Sequence, residues 1–93
     1  MDVASLTDAQ VFALTGWGEA RNQPVEGQVA VAWVIKHRAD FPRWWGGPEL
    51  RSVCLRPQQF SSWNEGDPNR AKMLALAERG FVGDNVWPQI EWI

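Results

Sequence analysis

The stretch GWGEARNQPVEGQVAVAWVIKHR, residues 16–38, decides how the rest of the chain reads. Its second half has the marks of a helix. Pro24 suits a first helical position, and Glu26 falls in the first turn, where a carboxylate complements the N-terminal dipole. Lys36, His37 and Arg38 close the far end with cations, so His37 reads as a helix-end residue. Between these ends, Val29 to Ile35 is apolar on nearly all sides. That pattern predicts a central helix over Val25–Arg38, with Trp33 in the core. The first half of the stretch ends another helix, where Gly16 and Gly18 allow a backbone or a ligand to come close.

Toward the N-terminus, Thr7-Asp8-Ala9-Gln10 fits a capping box, and Leu6 with Val11 fits a hydrophobic staple. With Val11, Leu14 and Trp17 at helical spacing, the first helix is expected over Ser5–Trp17. Toward the C-terminus, Asp40 to Pro48 holds prolines, glycines and Trp44-Trp45, and reads as a loop. Glu49 to Leu55 predicts a short helix ended by Pro57, and Gln58 to Trp63 a short extended segment. Asp67 as N-cap, Pro68 at N1 and Gly80 as the stop delimit a last helix, whose faces Ala71, Leu74, Ala75 and Glu78 mark. Phe81 to Ile93 shows no period. The sum is one small, mainly α (α+β) domain with at most a minor β-sheet.

Composition narrows the function classes. The 93 residues are 45% apolar, which suits a globular domain and not a disordered one. A net charge of −2 with scattered basic residues argues against a nucleic-acid partner. No apolar run nears the roughly 18 residues that would span a bilayer. No basic leader precedes an apolar stretch at the N-terminus, so the expectation is a product made in the cytoplasm or an excised domain. One cysteine, Cys54, and one histidine leave little for a disulfide, a thiol nucleophile or a zinc site, and Cys54 reads as core. No cofactor is implied. Seven tryptophans with no tyrosine are unusual, and Trp44, Trp45 and Trp63, in loop-like sequence, suit a ligand-facing role.

An apolar wall disfavours the charged form of a carboxyl, and a helix C-terminus pushes the same way. A carboxyl so placed can donate its proton to a departing glycosidic oxygen. Glu19 meets the sequence side of this description; the alternative is a solvated glutamate paired with Arg21 or a nearby backbone group.

Gly18-Glu19-Ala20-Arg21, followed by Pro24, Gly27, Val29-Ala30-Val31-Ala32 and Val34-Ile35, and then by Val53, Pro57 and Gln59-Phe60-Ser61, resembles the cell-wall-hydrolase family typified by spore-cortex-lytic enzymes. Two ordered motifs at this separation are fairly specific, and the resemblance extends over about residues 7–80. It implies a lysozyme-like fold and cleavage of the β-1,4 bond between N-acetylmuramic acid and N-acetylglucosamine in peptidoglycan strands. It implies Glu19 as the catalytic acid and Gln59, Phe60 and Ser61 as a strand lining the cleft opposite. Trp17, Arg21 and Trp63 complete the candidate substrate contacts, and structural support is the other reading of the Gln59 trio.

Hydrolysis by the usual routes needs two carboxylates, about 5–5.5 Å apart for retention or about 6.5–9.5 Å for inversion. No second acid stands in a motif here, so a lytic transglycosylase, which needs one, is the favoured mechanism. Two departures from the family's pattern bear on this. Asn22-Gln23 stands where a second acid is frequent, and the chain after about residue 80 reads as shortened. The alternative class is a non-catalytic glycan-binding or structural relative, such as part of a phage particle, with exposed tryptophans as interface. Association with itself or a larger assembly belongs to that reading.

Overall fold

A computed structural model describes residues 2–57 and 59–81 of the chain. Trp87, Trp92, Gln58 and the sequence reading of the tail beyond Phe81 lie outside the described residues. Four helices follow one another: α1 (Asp8–Ala20), α2 (Val25–Asp40), α3 (Leu50–Cys54) and α4 (Pro68–Glu78). Short 3₁₀ turns occupy Val3–Ser5 and Ser61–Trp63. Among the described residues there is no strand, and an isolated bridge between Arg43 and Gly46 is all the β structure. The mainly α expectation holds.

The capping box forms as read. Thr7 Oγ1 accepts from the Gln10 amide at 3.1 Å, and the Thr7 amide donates to Gln10 Oε1 at 2.9 Å. Helix α1 therefore starts at Asp8 and not at Ser5, because Thr7 is the cap and residues 3–5 form their own turn. Leu6 and Val11 fall in one buried cluster, as the staple requires. At its other end α1 runs past Trp17 to Ala20, carrying Glu19 in its last turn. Glycine is required at position 18 because a side chain would have no room: a Cβ would lie 2.8 Å from Ser62 Oγ and 2.9 Å from Met73 Sδ.

The core forms around α1, with Val11, Phe12 and Leu14 fully buried against Ile35 of α2, Val53 and Cys54 of α3, and Met73 of α4. Arg51 secures α3 to the start of α1, its Nε donating to Asp8 Oδ1 at 2.6 Å and its Nη2 to the Leu6 carbonyl. Helix α4 is capped by Asp67, whose Oδ1 accepts from the Asn69 amide at 2.8 Å, with Pro68 at N1 and Gly80 at φ 82° just past its end. Its buried residues are Met73 and Ala77, while Ala71 and Glu78, read as facial markers, are exposed.

Two expectations are corrected. Helix α2 is not central: it buries Ala32, Ile35 and Ala39 but leaves Val25, Trp33 and Val34 about half exposed, so Trp33 is no core residue. Lys36 stands over its indole, 5.8 Å from the ring centroid. Of the expected extended segment, the described part, Gln59–Trp63, is not extended either. Phe60 has extended dihedrals, but residues 61–63 turn tightly, since Ser62 must reach Gly18 while the adjacent Trp63 indole donates to Thr15 Oγ1 at 2.8 Å. A strand would send those two neighbours to opposite faces.

Candidate functional site

The site lies where the end of α1 meets the middle of α2 and the turn after Pro57. Glu19, Val31, Val34, Gln59, Phe60 and Ser61 line one open cleft of about 360 Å³. Helix α1 delivers Glu19 because it continues through two glycines, and Gly18 permits the close approach of the turn that bears Ser61 and Ser62. Ser62 is buried and its hydroxyl lies 3.5 Å from Glu19 Oε1, a long and weak contact. Val31 and Val34 face Glu19 as an apolar wall from α2, and the half-buried Phe60 packs against the core as it lines the cleft.

Gln59 is oriented from outside the cleft. Arg38 Nη1 donates to Gln59 Oε1 at 2.9 Å. A guanidinium only donates, so the amide oxygen must be the atom that faces it. The NH₂ of Gln59 is left as the group that can serve an acceptor on a bound molecule.

The structure brings Glu19, Gln59, Phe60 and Ser61 together from two distant stretches of sequence. It does not bring Trp17 and Arg21 with them. The Arg21 guanidinium lies 4.1 Å from the Trp17 ring centroid, donates to the Trp17 and Gly18 carbonyls at 3.4 Å, and reaches Asn69 Oδ1 of α4 at 2.8 Å. It closes the C-terminal end of α1, where orphan carbonyls need donors, and forms no ion pair with Glu19 among the described residues. Trp63 borders a separate cleft of about 600 Å³ with Arg56, Asn64 and Glu65, and Phe60 borders both. Trp45 spends its indole N–H on the Arg38 carbonyl at 3.0 Å, which caps α2, whereas Trp44 is exposed.

Val31, Val34, Ser62 and Arg38 were not singled out as site residues by the sequence. Val31 and Val34 lie within an apolar run with nothing to mark which side faces the cleft. Ser62 had a signal, since it follows the Gln59-Phe60-Ser61 motif directly.

Cys54 lies outside the site. Burial pushes its thiol up to about 12, with Asp8 adding to the rise and a hydrogen bond with Thr15 opposing it. Among the described residues no group of three His, Cys, Asp or Glu converges to hold a metal, and no helix is long and apolar enough to cross a membrane.

The description of the cell wall hydrolase family matches residues 22–88, well over half of the chain. The match includes every cleft residue on α2 and on the turn after Pro57, and it begins three residues after Glu19. Among curated proteins, the chain is 38% identical over 65 residues to a spore cortex-lytic enzyme of Oceanobacillus iheyensis, covering 67% of this chain and 22% of that protein. It is also 35% identical over 81 residues to the chloroplastic photosystem I reaction center subunit XI of Hordeum vulgare, covering 87% of this chain and 33% of that one. The chain thus spans a third or less of the curated relatives it matches. Their names differ, and the family match accords with the first. No solved structure matches the chain significantly. On the family match over residues 22–88, the chain belongs to the cell wall hydrolase family.

Proposed function

We propose that this chain cleaves peptidoglycan strands at the β-1,4 bond between N-acetylmuramic acid and N-acetylglucosamine, as a lytic transglycosylase with Glu19 as its one acid and base. The observation that carries the reading is the cleft itself. Among the described residues lining it, Glu19 is the sole carboxylate, set against Val31, Val34 and Phe60 and beside the polar Gln59 and Ser61. A two-carboxylate hydrolase would place a second acid across the bond. Family membership supports the substrate class. The lysozyme-like fold that the sequence resemblance implies belongs to this reading too.

In the proposed reaction Glu19 gives its proton to the glycosidic oxygen as the bond from C1 of the muramic residue breaks. The bonding pair leaves with that oxygen. The carboxylate then takes the proton of the same muramic residue's 6-hydroxyl while that oxygen attacks C1. The product is a 1,6-anhydro ring, and Glu19 is restored in its protonated form. Val31, Val34 and Phe60 give the cleft an apolar side beside Glu19, and the Gln59 NH₂, oriented by Arg38, is suited to an N-acetyl carbonyl.

Mass spectrometry of muropeptides released from purified sacculi tests the mechanism. The 1,6-anhydromuramic ends are the expected products. Reducing muramic ends would replace the mechanism with hydrolysis, and no release by folded protein would leave a glycan-binding or structural role.

A further inference from the structure

Next to the Glu19 cleft lies a second one, of about 350 Å³, lined by Trp33, Val34, His37 and Arg38 of α2. Two features join it to the first. Val34 borders both, and Arg38, which lines the second, donates the hydrogen bond that orients Gln59 in the first. The surface is built as aromatic platforms are. Trp33 is 49% exposed, is no member of the buried core, and stands beside two nitrogen-bearing side chains one helical turn further on. One guanidinium N–H of Arg38 serves Gln59, and among the described residues no side-chain partner takes the others, which suit an anion.

We infer that this second cleft is a saccharide subsite, which takes a further, carboxylate-bearing sugar of the strand held at Glu19. The inference rests on the peptidoglycan reading. Trp33 offers its indole to the apolar face of a sugar ring, and Arg38 meets the lactyl carboxylate that a muramic residue stripped of its stem peptide carries and a plain N-acetylglucosamine lacks. The same guanidinium then touches the strand and holds Gln59, so that filling the outer subsite braces a residue beside the acid. Val34, shared by the two clefts, is the apolar floor over which the strand passes.

The test is binding to the Glu19→Gln protein, in which cleavage is removed, of a peptide-free hexasaccharide of alternating N-acetylglucosamine and N-acetylmuramic acid, followed by titration calorimetry. Adding Trp33→Ala is expected to raise Kd about tenfold, the loss of one aromatic contact, while Trp33→Phe recovers most of it. A hexamer of N-acetylglucosamine is expected to bind several-fold more weakly, and added salt should weaken the anionic ligand selectively. Trp33 lies outside the core, so the variant's thermal unfolding should match its parent's. An unchanged Kd in Trp33→Ala would overturn the inference, as would equal, salt-independent binding of the two hexamers or no binding of either. Cleavage of sacculi by the wild-type chain is read separately. Tight, Trp33-dependent binding without cleavage would keep the subsite and remove the catalytic reading.

Discussion

Helices α1 and α2 have similarly apolar sequences and opposite fates. From Val11 to Gly16 every residue of α1 is buried, Thr15 included, because α2, α3, α4 and the turn at Ser61–Trp63 all pack on it. Helix α2 carries the more continuous apolar run, yet Val25, Trp33 and Val34 stand open to solvent. A domain of this size forms one core, and among the described residues the neighbours gather around one helix. The difference teaches that an apolar run states what a helix can bury and not what arrives to bury it. On α2 the surplus apolar surface borders the Glu19 cleft and the groove beside it, where a ligand rather than a helix can cover it.

This contrast can be broken by substitution. Phe12→Ala, at the fully buried middle of α1, should cost about 3–5 kcal/mol in chemical denaturation. A loss under about 1 kcal/mol would mean that α1 is not the centre. Cys54, also in that core, predicts a pH effect of definite sign. Its folded thiol stays protonated up to about 12 while the unfolded thiol ionises from 9.0. Its contribution to stability is therefore complete below pH 9 and is lost as pH rises toward 12. Thermal unfolding of wild type against Cys54→Ala should show the wild type losing relative stability across that window. The folded thiol should also resist thiol reagents at pH 8.

Gly18→Ala sharpens the comparison at the boundary between the two regions. The added methyl meets Ser62 and Met73 below 3 Å, so it should cost about 1–3 kcal/mol and displace the turn that borders Glu19. Activity should then fall further than stability alone explains, as measured on sacculi at a temperature where both proteins are folded. The smallest effect is expected from Val25→Ala on the open face of α2, within about 0.5 kcal/mol of wild type in the same denaturation assay.

What the sequence made legible was mostly local. Thr7 with Gln10, Asp67 with Pro68, and Gly80 mark helix ends by chemistry confined to a few residues, and each appears where it was read. Cys54 as a buried residue was legible from its apolar neighbours. Trp33 was misread because periodicity carries no information on tertiary neighbours. The Ser61–Trp63 turn was misread because its cause, the space above Gly18, comes from a helix more than forty residues earlier. The Glu19 and Gln59-Phe60-Ser61 motifs pointed to one cleft only through the family resemblance. Their joint location, and the placement of Arg21 on Trp17 and Asn69 instead, are tertiary facts.

The most direct test of the account is release of soluble fragments from dye-labelled sacculi by wild type and by Glu19→Gln, both verified as folded. If Glu19 is the acid, the variant should lose about 10²–10⁴-fold in rate while still binding the sacculi, as expected for a general acid. Undiminished release by a folded Glu19→Gln protein would contradict the assignment and place the chemistry in another part of the chain.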